Sequence, residues 1–242
     1  MNVLLALDVD VDLHHAAEAV QTKLRRLDAP LPDYLLSRSM AGCTHNDLIS
    51  AVRKTVPQVK ARFFPFYNRT FQLASLLADW IARGLVPILT LNVQRSRVGA
   101  DGGILDSWHH QMVWGVSGHE IYLANPLEMV SEKYLNDQIS SPSELLIRRT
   151  DIVSRFHSKL DLGEINELGH RWREMNVLGQ VVNIMREDRS AEKDESVTLT
   201  SHVRIPASYS SGVTLFCSAA NEEGLTFLKE SPDLPVNSND GA

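Results

Sequence analysis

The chain has little cysteine and no feature of secretion or membrane insertion. Its 242 residues include two cysteines, Cys43 and Cys217. Two cysteines do not make a disulfide framework, which favours a reducing compartment. The start carries no basic region followed by an apolar stretch and a cleavage site, and no apolar run is long enough to cross a bilayer. These absences predict a cytoplasmic protein that does not enter a membrane.

The chain also lacks an excess of positive charge. Lysine and arginine number 24 against 30 aspartate and glutamate, so the formal net charge is −6 and the pI is near 5.8. Nucleic-acid binders usually show a basic patch, so this balance argues against nucleic acid as a partner. Hydrophobic residues at 43% and charged residues at 22% are ordinary for a globular domain.

No complete metal or cofactor signature is found. Asp8, Asp10 and Asp12 are spaced like the opening of a calcium loop. That loop needs glycine at its sixth position and glutamate at its twelfth, where this chain has Leu13 and Ala19. Adjacent histidines on a helix or strand face apart, so the histidine pairs of the chain do not make a ligand set either. We therefore predict no metal and no cofactor.

Hydrophobic periodicity and turn residues predict an α+β fold. Helices are expected at residues 13–27, with Leu24 and Leu27 inward, and at 44–55, 70–83 and 131–138. Strands are expected at 59–66, 85–92, 112–116, 121–124, 145–149, 203–207 and 212–217. The apolar stretch 177–185 fits a strand or a helix equally well, and the glycine-containing stretch 95–106 predicts a mobile loop. The predicted organisation is a domain over 1–150, a C-terminal extension over 151–230 that completes or flanks the sheet, and a disordered tail over 231–242.

The predicted hairpin carries the candidate chemistry. His109 stands at the start of its first strand, and Asn125 ends the second strand immediately before Pro126. The start of one antiparallel strand lies opposite the end of the next, so His109 and Asn125 are expected to be neighbours. An amide beside an imidazole can fix the orientation of the ring, which is the third-member role in a Cys-His-Asn arrangement. The alternative is a structural histidine at a strand edge and an asparagine in an ordinary turn.

The order of these motifs resembles the papain-like cysteine peptidases. The chain has helices, then the strand Gly84-Leu85-Val86-Pro87-Ile88, then a histidine-headed strand that ends in Gly115, then a strand that ends in Asn125-Pro126. This order is most similar to the compact branch that processes bacteriocin leaders and to its eukaryotic relatives, and the resemblance covers residues 1–127.

The resemblance implies a papain-like fold with N-terminal helices packed on an antiparallel sheet, and a peptide or protein as substrate. It also implies that His109 is the catalytic histidine and that Asn125 is its partner. That branch most often has aspartate at the partner position, and the papain branch shares the asparagine.

The nucleophile of that family is missing from its usual place. It is a cysteine at the start of the first buried helix, with an oxyanion-hole glutamine a few residues before it, and this sequence shows neither. The segment that begins at Met1 resembles the later turns of that helix, so the cysteine is expected upstream of Met1. Cys43 is the competing nucleophile, because a thiol near a helix start can be acidified by the helix dipole. A third possibility is that the chain performs no cysteine chemistry.

These observations lead to three functional hypotheses. The first is a cysteine peptidase-like hydrolase that is inactive as given because its nucleophile lies upstream. The second is a non-catalytic module that binds peptides or proteins on the same fold. The third is an acyltransferase or transglutaminase-like use of the same site.

Overall fold

The structure is a computed structural model, and it describes residues 2–9, 12–95, 107–124, 126–194, 196 and 198–237. The helices are α1 Asn2–Ala6, α2 Leu13–Ala19, α3 Leu31–Met40, α4 His45–Thr55, α5 Leu73–Ala82, α6 Glu132–Ile139, α7 Arg149–Val153, α8 Glu164–Glu167, α9 His170–Glu174, α10 Val177–Ala191 and α11 Glu222–Glu230. The strands are β1 Val59–Pro65, β2 Val86–Asn92, β3 Trp108–Ser117, β4 Glu120–Ala124, β5 Glu128–Ser131, β6 Glu144–Arg148, β7 His202–Pro206 and β8 Gly212–Ser218.

Six strands form one antiparallel sheet in the order β1-β8-β2-β3-β4-β5, and β6 pairs with β7 in a separate antiparallel pair. The α+β prediction, with helices and an antiparallel sheet, is confirmed. β8 comes from the C-terminal part of the chain but lies between β1 and β2. The central sheet is therefore built from segments that are far apart in sequence.

Helices cover both sides of the six-stranded sheet. On one side, α5, α6 and α11 supply apolar residues to a large core with β2, β3, β4 and β8. On the other side, Val3 and Leu4 of α1 are buried against Val59, Val86 and Phe216, and apolar residues of α2 and α4 join them. This second group covers the strands β1, β8 and β2 and extends to one residue of β3.

The strand pair β6–β7 belongs to a separate core with α3 and α10. Leu146 and Arg204 lie opposite each other in this pair. The Gln94 side chain exchanges two hydrogen bonds with the backbone of Leu146, and the Gln180 side chain does the same with Arg204. The side-chain amides of Gln94 and Gln180 thus hydrogen-bond to the outer edges of β6 and β7. They satisfy backbone groups that an edge strand otherwise leaves without a partner.

The predicted helix over 13–27 is wrong after Ala19, where α2 ends. Lys23 instead forms a two-way backbone bridge with Gly42, which requires an extended chain at that point. Leu24 and Leu27, which were expected to face inward, are 83% and 58% exposed. The pattern of apolar residues was right for a helix, but a non-local backbone pairing displaces it.

Several other predictions are confirmed. The helix over 44–55 begins after Thr44, whose side chain accepts from the Asp47 amide while the Asp47 carboxylate accepts from Thr44. The strands over 59–66 and 85–92 and the hairpin appear as β1, β2 and β3–β4. The apolar stretch 177–185, which the pattern left open, is part of the helix α10. The loop predicted over 95–106 lies almost entirely outside the described residues.

The predicted tail can be followed as far as Asn237. The Thr70 amide donates to the Pro235 carbonyl, and Val236 bridges with Arg69. Residues 238–242 lie outside the described part of the chain. Within the described ranges, none of the helices combines the length and the apolar character that crossing a bilayer requires.

Candidate functional site

The hairpin that carries the predicted site is formed by β3 and β4. Its turn contains Gly118, whose φ of +59° is the left-handed conformation expected there. Pairing toward the open end of the hairpin is described as far as Met112 opposite Ala124. Asn125, the predicted partner of the catalytic histidine, lies outside the described residues. The predicted meeting of His109 with Asn125 therefore stays a prediction.

His109 lies near the start of β3, opposite Leu91 of β2, and its side chain is exposed. The neighbouring side chain of His110 points to the other side of the sheet, as alternation along a strand requires. It lies on the same side as Met112, which packs near the core shared by α1 and α4. Of the two histidines, His110 is therefore the one that faces the N-terminal helices.

Both ring nitrogens of His110 are engaged. Nε2 lies 2.8 Å from the carbonyl oxygen of Cys43, and Nδ1 lies 3.1 Å from Oγ1 of Thr90. A carbonyl oxygen can only accept, so Nε2 carries the proton and Nδ1 of the neutral ring accepts from the Thr90 hydroxyl. Burial lowers the pKa of His110, which keeps the ring neutral at pH 7. The neutral ring therefore has no free lone pair with which to take a proton from a thiol.

Cys43 stands directly before Thr44, the N-cap of α4. Burial raises the pKa of the Cys43 thiol, and the nearby Asp47 carboxylate raises it further. The helix start, which suggested an acidified thiol, is thus occupied by an acidic capping residue. Asp47 satisfies the first turn of the helix and at the same time opposes a thiolate at Cys43. The second cysteine, Cys217, is buried in β8, and burial raises the pKa of its thiol as well.

A second histidine, His45, belongs to the same cluster. Its ring stacks on Phe63 with centroids 3.7 Å apart and planes 10° from parallel. Burial lowers its pKa to about 4, and the proximity of His110 contributes to this lowering. His45 is therefore neutral at pH 7 and adds no positive charge that would stabilise a thiolate.

Tyr209, from the connection between β7 and β8, completes this cluster. Its hydroxyl donates to the carbonyl oxygen of Ala41 at 2.7 Å, and its ring stacks on Trp108 with centroids 5.6 Å apart. Burial raises the pKa of the Tyr209 hydroxyl, so the group stays protonated and keeps donating. Residues 41–43 are thus tied to β3 through His110 and to the β7–β8 connection through Tyr209.

The groups around Cys43 join neighbouring segments of the chain and lack the properties of a Cys-His nucleophile pair. We call this cluster the junction. A Cys-His nucleophile needs a lowered thiol pKa and a base with an available lone pair. Here the thiol pKa is raised, and His110 spends both nitrogens on Cys43 and Thr90. Among the described residues, no group of three or more histidine, cysteine, aspartate or glutamate side chains is arranged to hold a metal ion.

Sequence reasoning did not identify His110, Thr90, His45 and Tyr209 as members of this cluster. The opposite orientation of His109 and His110 follows from strand alternation, so that part of the arrangement was accessible. The contact between Tyr209 and Ala41 joins residues 168 positions apart. No local pattern signals a contact of that kind.

Comparison of the chain with protein-family models, with curated proteins and with solved structures found no match.

Proposed function

We propose that this protein is a papain-like, cysteine peptidase-related module that binds peptide or protein segments and does not use Cys43 or Cys217 as a nucleophile. The observation that supports this proposal most strongly is the environment of Cys43. Burial and Asp47 raise the pKa of its thiol, and the adjacent carbonyl holds His110 in a tautomer without a free lone pair. A thiol in this setting is a poor nucleophile at pH 7.

The arrangement of helices and strands is compatible with the papain-like relationship. That relationship predicts N-terminal helices packed on an antiparallel sheet, and α1 and α4 contribute to the core on one side of the six-stranded sheet. Peptide-binding proteins of many folds use surfaces that such packing leaves exposed, so the fold is compatible with a binding role. The environment of Cys43 argues against covalent catalysis by that thiol.

The test is an assay that measures binding and cleavage in the same sample. A fluorescein-labelled positional-scanning peptide library is incubated with the chain and with Cys43→Ala, while anisotropy reports binding and mass spectrometry reports cleavage. We expect that some peptides bind to the chain and that none is cleaved, and we expect the same result for Cys43→Ala. Cleavage that disappears in Cys43→Ala and persists in the matched control Cys217→Ala would overturn the proposal.

The hydrolase is the second candidate. The exposure of His109 favours it, whereas the position of His109 on the side of the sheet opposite α1 argues against a nucleophile placed just before that helix. The side chain at the position that the family motif assigns to the catalytic histidine is open to solvent at the start of β3. A thiol other than Cys43 and Cys217 would then attack the amide carbonyl, His109 would take and return the proton, and Asn125 would orient the ring. An acyltransferase would use the same groups and deliver the acyl group to an amine instead of water.

The hydrolase candidate is tested by measuring the peptidase activity of the chain as given and of any longer product that its gene encodes. Peptidase activity that is lost in His109→Ala and kept in His110→Gln would establish it. Analysis of the products with and without an added primary amine separates hydrolysis from acyl transfer.

A further inference from the structure

The side of the six-stranded sheet that packs against α1 and α4 exposes an apolar patch at its other end. Trp114 of β3 is 55% exposed, Met129 of β5 is 60% exposed, and Tyr122 of β4 lies between them. The Trp114 and Tyr122 rings contact each other with centroids 5.0 Å apart, and Tyr122 is directly opposite Met129. We call these three residues the β3–β5 patch.

A β-bulge creates this patch. The register between β3 and β4 shifts between Val113 and Gly115, so Trp114 has no partner of its own in β4. The irregularity turns the Trp114 ring onto Tyr122, while Gly115 opposite Tyr122 adds no side chain there. Bulges commonly re-aim a side chain in this way. The aromatic pair is therefore fixed by backbone geometry.

The patch ends at an edge strand. β5 is the last strand of the sheet in the described part of the chain, with β4 on its inner side. An edge strand presents backbone N–H and C=O groups on which an extended segment can form a further strand. Every second side chain of a strand added there lies on the patch side of the sheet, the side that carries Met129.

The electrostatic character of this region is acidic. Residues 107–131 contain two formally charged side chains, Glu120 and Glu128, and neither lysine nor arginine. Glu120 stands two residues before Tyr122 in β4, on the patch side of the sheet, opposite Ser131. Glu128 begins β5 on the other side, where it accepts a hydrogen bond from Gln111. A segment along β5 thus meets the apolar patch, with the Glu120 carboxylate beside it, on one side of the sheet and the Glu128 carboxylate on the other.

We infer that the β3–β5 patch and the outer edge of β5, which no described strand occupies, bind an extended peptide segment in which apolar and basic residues alternate. Backbone pairing with β5 supplies affinity, the apolar side chains rest on Trp114 and Met129, and the basic side chains approach Glu128. This inference rests on the proposed binding function and names its ligand class and location.

The experiment uses a fluorescein-labelled peptide of four Lys-Val repeats and measures its anisotropy against the full chain. Matched peptides of four Glu-Val repeats and of four lysines followed by four valines test charge and alternation separately. We expect the Lys-Val peptide to bind at least about tenfold more tightly than either control, because only it combines the alternation with the complementary charge.

Variants of the protein locate the binding site. Trp114→Ala removes a stacking surface, and Met129→Pro removes the backbone donor of β5 that faces away from β4, so each should weaken binding about tenfold. Glu120→Gln combined with Glu128→Gln should weaken it about threefold and reduce its dependence on salt. The matched controls are Leu199→Ala, another exposed apolar residue, and Glu222→Gln with Glu223→Gln on α11; neither should change the affinity.

The outcomes separate this inference from the proposed function. Equal affinity of Trp114→Ala and the unchanged chain for the Lys-Val peptide overturns the inference, and Trp114→Ala serves for this purpose even if Met129→Pro fails to fold. A concentration-dependent dimer that Met129→Pro dissociates and that excludes the peptide also overturns it, because a second copy then occupies the edge. If a peptide is cleaved in a cysteine-dependent way and its binding still requires Trp114, the proposed function is contradicted. The inferred location of the binding site then still holds.

Discussion

The two ends of one side of the six-stranded sheet differ in whether their polar and aromatic side chains are buried or exposed. Around His110, the imidazole, a tyrosine hydroxyl and two backbone carbonyls satisfy one another in a buried junction. At the β3–β5 patch, the side chains of Trp114 and Met129 are more than half exposed to solvent. The residues with reactive side chains, His110 and Tyr209, hold segments of the chain together. The accessible surface at the β3–β5 patch is formed by Trp114 and Met129, which are chemically unreactive. In this chain, a cysteine close to a histidine therefore has a structural setting, and the apolar edge is the surface that we propose for recognition.

The largest expected effect comes from Gly42, inside the junction. Its φ is +95°, and a Cβ atom there would overlap the hydroxyl of Tyr209. Gly42→Ala should therefore lower the free energy of unfolding by about 3 kcal/mol, from backbone strain and overpacking together. Urea unfolding followed by fluorescence measures the loss.

The matched control is Gly118→Ala in the turn of the hairpin. Gly118 also has positive φ, but a Cβ there meets nothing within 4 Å. Its cost should be confined to backbone strain, about 1 kcal/mol. Equal losses for both variants would mean that the junction is not tightly packed around Tyr209.

Substitution of the adjacent histidines is the next test of the comparison. His110→Phe removes both hydrogen bonds and leaves the Cys43 carbonyl and the Thr90 hydroxyl without that partner. We expect a loss of about 2 kcal/mol in the free energy of unfolding, because buried polar groups lose their partner. His109→Ala changes an exposed side chain and should stay within about 0.5 kcal/mol. The reverse order of the two losses would contradict the assignment of His110 as the structural member of the pair.

Protonation of the junction should give a moderate, pH-dependent effect. The pKa of His45 is about 4 in the folded chain, below the value of about 6.5 expected when it is unfolded. The folded state therefore binds fewer protons, so this contribution to stability is complete above pH about 6.5 and is lost as the pH falls through about 4. His45→Phe keeps an aromatic ring on Phe63 without a titrating group. The variant should show a smaller loss of stability between these pH values, and an unchanged slope would refute the assignment.

The smallest effect on stability is expected at the open end of the sheet. Trp114→Ala removes an exposed side chain that contacts Tyr122, so the free energy of unfolding should change by no more than about 0.5 kcal/mol. Thermal and urea unfolding check this value. A loss of several kcal/mol would show that Trp114 belongs to the core, and the distinction between the two ends would then fail.

Features with local causes were predictable from the sequence. α4 has a capping box made by Thr44 and Asp47, three residues apart, and the β3–β4 hairpin has a turn glycine with the required conformation. α3 was not predicted, because the prolines at 30 and 32 hide the helical pattern that follows them. Proline is tolerated in the first turn of a helix, and Pro32 lies there.

Features with distant causes were not predictable in the same way. The end of α2 depends on the pairing of Lys23 with Gly42, and the central position of β8 depends on strands more than a hundred residues earlier. In the candidate site, the opposite orientations of His109 and His110 follow from strand alternation. The arrival of Tyr209 at the junction follows from the packing of the whole chain and has no local signal.

The central claim, that Cys43 is a structural thiol and not a nucleophile, is tested most directly by its alkylation rate. Iodoacetamide modification of Cys43 is measured in Cys217→Ala between pH 6 and pH 10, in the folded protein and in urea. We predict a rate that is slower in the folded protein at pH 7.5 and that keeps rising beyond pH 9, because the pKa of the thiol is raised above its ordinary value of 9.0. A fast rate that is already at its plateau at pH 6 to 7 in the folded protein would contradict the claim.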